Sequence, residues 1–327
     1  MFVRLFKSTQ PIPLVLLTLI AAAMWLISWM FHFRVHPPDG MPLYDLTFYL
    51  LRTFPGWVLA FTGFLLVTSQ GIHFNYLLNK HDILYRPSWL PALLYVVLGG
   101  LFPSFLGFHP ILFVNSIIIL ALERIIALYK NPSPLSLAFD SALLLSIAAL
   151  FYLPAAVFFI FYGIAMLIIR PFNWREAVAG TLGLLIPFLF AFLYYFLSNR
   201  LESFYERIFK AGIATDFTLT RLSAGPFLYS AVFVVLLLVM AVLRLQGNYY
   251  KNVTKARLVQ QMMLLFIPFG LFTVIISRDT DLWRYMILLT PFSIYLGYYF
   301  LSTNKKLIAE LLFLLLLAAW GANYFYF

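Results

Sequence analysis

The sequence predicts an all-α integral membrane protein of about 11 transmembrane helices, and three observations carry that expectation. Of the 327 residues 63% are hydrophobic and only 10% are charged, and the mean hydropathy is +0.93. Soluble domains carry about a quarter charged residues, so a water-exposed surface of this composition is excluded. Apolar runs recur along the whole chain at the ~20-residue length that crosses a bilayer. The ionisable residues gather between those runs, where hydrocarbon gives way to water.

Bounded by charges or by Pro and Gly punctuation, the predicted helices fall at 11–31, 57–78, 88–106, 109–129, 135–152, 154–170, 177–198, 226–246, 260–277, 285–301 and 307–327. The first follows Arg4 and Lys7 but runs on through Trp25, Trp29 and Phe31 without a small-residue cleavage site, so it reads as a retained helix rather than a secretory signal. The fifth and sixth meet at Tyr152-Leu153-Pro154 and are short enough to form a re-entrant hairpin instead. No linker, low-complexity tract or fixed-period repeat divides the chain, and one polytopic domain over residues 1–327 is expected.

Charge sets the expected orientation. With the N-terminus inside, 14 of the 22 Lys and Arg residues fall on the inner side, and the balances are +9 inside and +1 outside. This predicts an N-in, C-out topology. The net charge of +10 is spread in short clusters between apolar runs, which argues for topology and against nucleic acid as a partner. The lack of cysteine excludes disulfides, thiolate nucleophiles and thiol-ligated metals. No P-loop, dinucleotide-binding, H-E-x-x-H or G-x-S-x-G motif occurs, which argues against ATP hydrolysis, zinc proteolysis and α/β-hydrolase chemistry.

In this topology most carboxylates face outward, in three loops. In the first, Pro42 to Pro55 encloses an amphipathic helix with Leu43, Leu46, Leu50 and Phe54 on one face and Asp45 and Arg52 on another, expected to lie flat with its charges to water. In the second, Leu201, Phe204, Tyr205, Ile208 and Phe209 recur at helical spacing, a second interfacial helix. The third, Ser277 to Arg284, places Asp279 and Asp281 between Arg278 and Arg284. Such a loop can bind a phosphate through its guanidiniums or through a divalent cation held by the aspartates, and it can equally be a self-neutralising turn.

Within the hydrocarbon, Asp140 needs a partner, and Arg124 is the nearest expected one, as a structural clamp or a proton relay. Thr62, Ser69, His73, Tyr76 and Lys80 share one helical face, which predicts contact with other helices; His73 reads as an interhelical hydrogen-bonder.

Two stretches carry resemblances. Arg284-Tyr285-Met286-Ile287-Leu288-Leu289-Thr290-Pro291-Phe292 resembles the late "R-Y-L-L-P-x-x-P" helix of GT-C membrane glycosyltransferases, with Leu in place of the first proline. Leu90-Pro91-Ala92-Leu93-Leu94-Tyr95, Phe139-Asp140-Ser141 and Arg170-Pro171-Phe172-Asn173-Trp174-Arg175-Glu176 are similar to an uncharacterised family of bacterial multi-pass inner-membrane proteins, which implies an architecture and no activity. The GT-C resemblance implies a transferase at the outer face that uses a polyprenyl-phosphate-linked sugar. Arg284 with Arg278 would then hold the donor phosphate, Asp279 and Asp281 a divalent cation, and Asp45, on a positioned helix, would be the base. A non-catalytic membrane scaffold and a transporter working through Asp140 are the other readings that the residues leave open.

Overall fold

The computed structural model describes residues 2–8, 10–31, 34–36, 41–206, 225–277, 281–303 and 305–325. Among them the regular structure is entirely helical: α1 (Phe2–Phe6), α2 (Ile12–Phe31), α3 (Pro42–Leu51), α4 (Gly56–Lys80), α5 (Leu90–Gly99), α6 (Ile111–Ala127), α7 (Pro134–Phe151), α8 (Phe158–Ile169), α9 (Trp174–Leu197), α10 (Leu201–Tyr205), α11 (Gly225–Gly247), α12 (Thr254–Ile276), α13 (Leu289–Ser302) and α14 (Lys306–Phe325). Four 3₁₀ segments among the described residues, Pro103–Leu106, Leu153–Val157, Tyr249–Lys251 and Leu282–Leu288, turn the chain between helices.

Eight helical stretches among the described residues are long and apolar enough to cross a membrane, the last two being Leu282–Ser302 and Leu307–Phe325. The other three predicted segments are helical but shorter. Prolines and glycines trim them: Gly99-Gly100 and Pro103 end α5 after ten residues, Pro110 starts α6, and Pro154 holds the entry to α8 in a 3₁₀ turn. Every residue of α5 is buried, so it is the axis of the bundle and not a lipid-facing span. Around it pack α4, α13 and α2, while α6 and α7 form an antiparallel pair flanked by α9.

Lipid-facing helices expose their apolar residues, as Leu185, Phe190 and Leu197 do on α9 and Val235 and Leu243 on α11. That inverted exposure is what a hydrocarbon solvent permits. The bundle is held inside by small residues and polar side chains. A Cβ on Gly183 would lie 2.5 Å from the Phe139 carbonyl oxygen, which brings α9 and α7 into backbone contact. Gln70 of α4 donates to the Leu112 carbonyl (2.6 Å) and to Ser116 Oγ (2.7 Å), and its Oε1 accepts from Tyr95 Oη (2.9 Å), so three helices share one side chain.

Several basic residues meet at one end of the bundle. Lys80 and His73 both reach Glu123 (3.5 and 3.0 Å), Lys255 reaches His81 Nδ1 (2.7 Å), and Arg244 caps α13 through the Ser302 carbonyl (2.7 Å). Arg170 donates to the carbonyls of Leu128 and Asn131 just beyond α6 (3.4 Å each). The segments around His36, His109 and Trp283 lie at the other end, where α6 begins and α7 ends.

Candidate functional site

The candidate site forms where the first and third predicted outer loops meet. Residues 34–36 lie extended beside 107–109: Phe108 N donates to the Arg34 carbonyl (2.9 Å), and His36 N donates to the Phe108 carbonyl (2.8 Å). Only glycine fits at 107, because a Cβ there would come within 2.6 Å of the Arg34 oxygen. Tyr44, fully buried on α3, locks this bridge by donating to the His36 carbonyl (2.7 Å).

The bridge positions two imidazoles against one indole. Trp283 is buried and stacks on His109 (5.1 Å between centroids, 15° between planes); the His36 ring lies 4.9 Å away and Tyr152 5.8 Å. His109 sits in the turn ahead of α6, and its Nε2 donates to the Phe105 carbonyl (3.1 Å). Burial pushes its pKa down to about 3, with a smaller push from His36 in the same direction and an opposing pull from the Phe105 carbonyl. The ring is therefore neutral, and its buried Nδ1 has no hydrogen-bond partner among the described residues.

The 3₁₀ geometry of Leu282–Leu288 sorts its side chains into three rows, because residues three apart eclipse. Leu282, Tyr285 and Leu288 line an apolar groove of about 340 Å³. Trp283 faces the imidazoles. Arg284 forms the third row with Ile287 and is 7% exposed; its Nη1 donates to the carbonyls of Val274 (3.1 Å) and Ser277 (3.5 Å) at the end of α12. A guanidinium there satisfies the last carbonyls of a helix and complements its dipole. Its buried Nε has no partner among the described residues, and neither has Trp283 Nε1.

The groove runs between α5, α11, α12 and α13. Val235 and Leu271 line it and are also exposed, so it opens sideways toward lipid. Arg284 does not line it, but its chain neighbour Tyr285 does.

Asp45 departs from the expected placement. It is 6% exposed, in the first turn of α3 and next to Tyr44, while Leu46, Leu50 and Phe54 point outward and Arg52 is exposed over the Tyr49 ring (4.8 Å). The helix is amphipathic as predicted, but its carboxylate faces protein and its apolar residues face outward. The expectation that Asp45 and Arg52 form a water-facing pair is corrected: packing on α7 turns Asp45 inward.

Other predicted residues are placed apart from this cluster. Arg278 and Asp279 lie outside the described residues, as does 207–224 of the second loop. Asp281 is half-buried at the start of the 3₁₀ segment. Among the described residues no group of three or more His, Asp and Glu side chains could hold a metal ion. Arg124 is exposed on α6, and no ion pair joins it to Asp140 on α7, because the packed face of α6 is the one carrying Ile118, Leu122 and Ile125. His73 hydrogen-bonds between helices as expected, with Glu123 as its partner.

His36, His109, Tyr152 and Trp283 were not legible as one site. The available signal was Gly107-Phe108-His109-Pro110, a turn whose histidine precedes a helix instead of belonging to it.

No protein-family model matches the chain, and no curated protein or solved structure matches it either.

Proposed function

We propose that this membrane protein is a lipid-dependent transferase of the GT-C kind, working at the outer face of a bacterial inner membrane on a polyprenyl-phosphate-linked sugar. Three observations at one end of the bundle carry the reading: a lipid-accessible apolar groove, a buried arginine one residue from its lining, and a buried carboxylate on α3, whose Tyr44 holds the segment that reaches Trp283 through His36. A groove of this kind suits an isoprenoid chain, which enters it from lipid by close packing and not by the hydrophobic effect, lipid being as apolar as the groove wall.

In the proposed reaction the acceptor hydroxyl oxygen attacks the anomeric carbon of the sugar. The carbon–oxygen bond to the phosphate breaks, the polyprenyl phosphate leaves with the electron pair, and Asp45 takes the hydroxyl proton. Arg284 stabilises the charge that grows on the departing phosphate. Its Nε–H, which has no partner among the described residues, supports that role, as does a position one residue from the groove lining.

The test is turnover of a labelled polyprenyl-phosphate sugar by membranes holding the full chain. Asp45→Asn and Arg284→Lys are expected to lower turnover by about a hundredfold or more. Arg284→Lys keeps a cation at the end of α12, so its loss would separate donor binding from helix capping. Full turnover in both variants at normal expression refutes the proposal.

A further inference from the structure

A second cavity lies at the basic end of the bundle, independent of the reading above. It has a volume of about 360 Å³ and is bounded by α8, α9 and the 170–173 connection. Its wall is mostly apolar, with Phe159, Met166, Leu167 and Leu184, and it contains one carboxylate, Glu176.

Glu176 occupies the third position of α9, where Asn173 is the N-cap and its Oδ1 accepts from Arg175 N (3.1 Å). In an ordinary capping box the glutamate would reach back to the N-cap amide. Here it turns away to Arg170, whose Nε lies 3.2 Å from Oε2. The carboxylate is 2% exposed, and Oε1 has no hydrogen-bond partner among the described residues.

Three nearby donor groups are committed elsewhere. Tyr162 Oη donates to the Ala138 carbonyl (2.9 Å), Thr181 Oγ1 to the Ala177 carbonyl (2.9 Å), and Arg170 Nη1 to the carbonyls of Leu128 and Asn131. A buried carboxylate oxygen without a donor costs several kcal/mol in a low-dielectric setting, and it selects for a ligand that brings N–H groups. Phe172 at the cavity's edge and Trp174, next to the cavity-lining Asn173 in the chain, are 73% and 64% exposed, as aromatic residues are at a membrane interface. The ligand therefore comes from the bilayer, with apolar chains for the wall and a donor at its head.

We propose that this cavity binds a phospholipid whose headgroup ends in a primary ammonium, phosphatidylethanolamine in type, with the ammonium on Glu176 Oε1 and an acyl chain along Phe159, Met166 and Leu184. A quaternary choline head has the same charge and no N–H, so it is the discriminating competitor. An anionic glycerol head would need Arg170, which is already bonded to two carbonyls and to Glu176.

The test is lipid retention by the purified full chain, read by native mass spectrometry after exchange into equal mixtures of phosphatidylethanolamine, phosphatidylcholine and phosphatidylglycerol. Phosphatidylethanolamine is expected to be retained over phosphatidylcholine by about tenfold, the worth of one charge-assisted hydrogen bond. Glu176→Gln should erase most of that preference. Because Glu176 also pairs with Arg170, a variant that leaves the pair intact is needed. Gly163 lines the cavity, and a Cβ there meets nothing within 4 Å, so Gly163→Leu starts its side chain in open space at the cavity wall. It should abolish retention at unchanged thermal stability. Equal retention of the two zwitterionic lipids, preference for phosphatidylglycerol, or full retention by Gly163→Leu each overturns the proposal.

Discussion

His109 couples the site to pH. Its folded pKa of about 3 lies below the ordinary histidine value of 6.5, so between those limits the unfolded chain holds a proton that the folded chain does not. Stability from the neutral ring is complete above pH 6.5 and is lost as pH falls toward the folded value. At pH 5 the loss amounts to about 2 kcal/mol. Thermal unfolding in detergent, followed by intrinsic fluorescence, should therefore shift downward from pH 7.5 to pH 5, and His109→Asn should flatten that slope. Some slope should survive, since burial and then Lys255 and Lys80 lower the pKa of His81 in the same direction. An unaltered slope in the variant would mean that another group governs it. Arg284 is the second residue with a double role. Arg284→Met keeps much of its length but leaves the Val274 and Ser277 carbonyls without their cation, and should cost about 1.5–3 kcal/mol in the same assay.

At the scale of elements, glycine decides which helices approach closely. On α9, Gly183→Ala drives a methyl group into the backbone of α7 at Phe139 and should destabilise by roughly 1–3 kcal/mol. Gly321 on α14 is the contrast: a Cβ there meets nothing within 4 Å, so Gly321→Ala should be neutral or stabilise by up to about 1 kcal/mol. Equal effects of the two would remove the close-packing argument. The polar face of α4 was legible as a pattern but not in its use. His73 and Lys80 cross to Glu123 of α6, but Thr62 and Ser69 donate to carbonyls of their own helix and Tyr76 is exposed, while Gln70, outside that pattern, makes further bonds between helices. A side chain that can satisfy its polarity within its own turn needs no neighbour, and spacing does not distinguish that from one that does. The same ambiguity hid the orientation of α3. Its two faces were evident in the sequence, but a solvent that is lipid on one side and protein on the other reverses which face points inward.

For the whole molecule, the two ends of the α6–α7 pair separate the proposed transferase site from the cavity at Glu176. The absence of cysteine makes sidedness directly measurable. Single replacements at Arg175 and Lys251 should be labelled by an impermeant maleimide only from the cytoplasmic side, and one at Thr53 only from the opposite side. Labelling of all three from one side would overturn both the positive-inside assignment and the opposition of the two ends. The sequence by itself determined the helical class, the membrane as solvent and most segment positions, because each follows from local hydropathy and from where charges can reach water. Tertiary structure alone decided that α5 is an enclosed axis, that Asp45 turns inward, that Asp140 and Arg124 do not pair, and that His36, His109, Tyr152 and Trp283 share one cluster. In a chain that is apolar on nearly every face, hydropathy marks which residues enter the membrane but not which helix faces meet, since lipid and protein interior look alike to it; close backbone approach and buried polar partners choose between them.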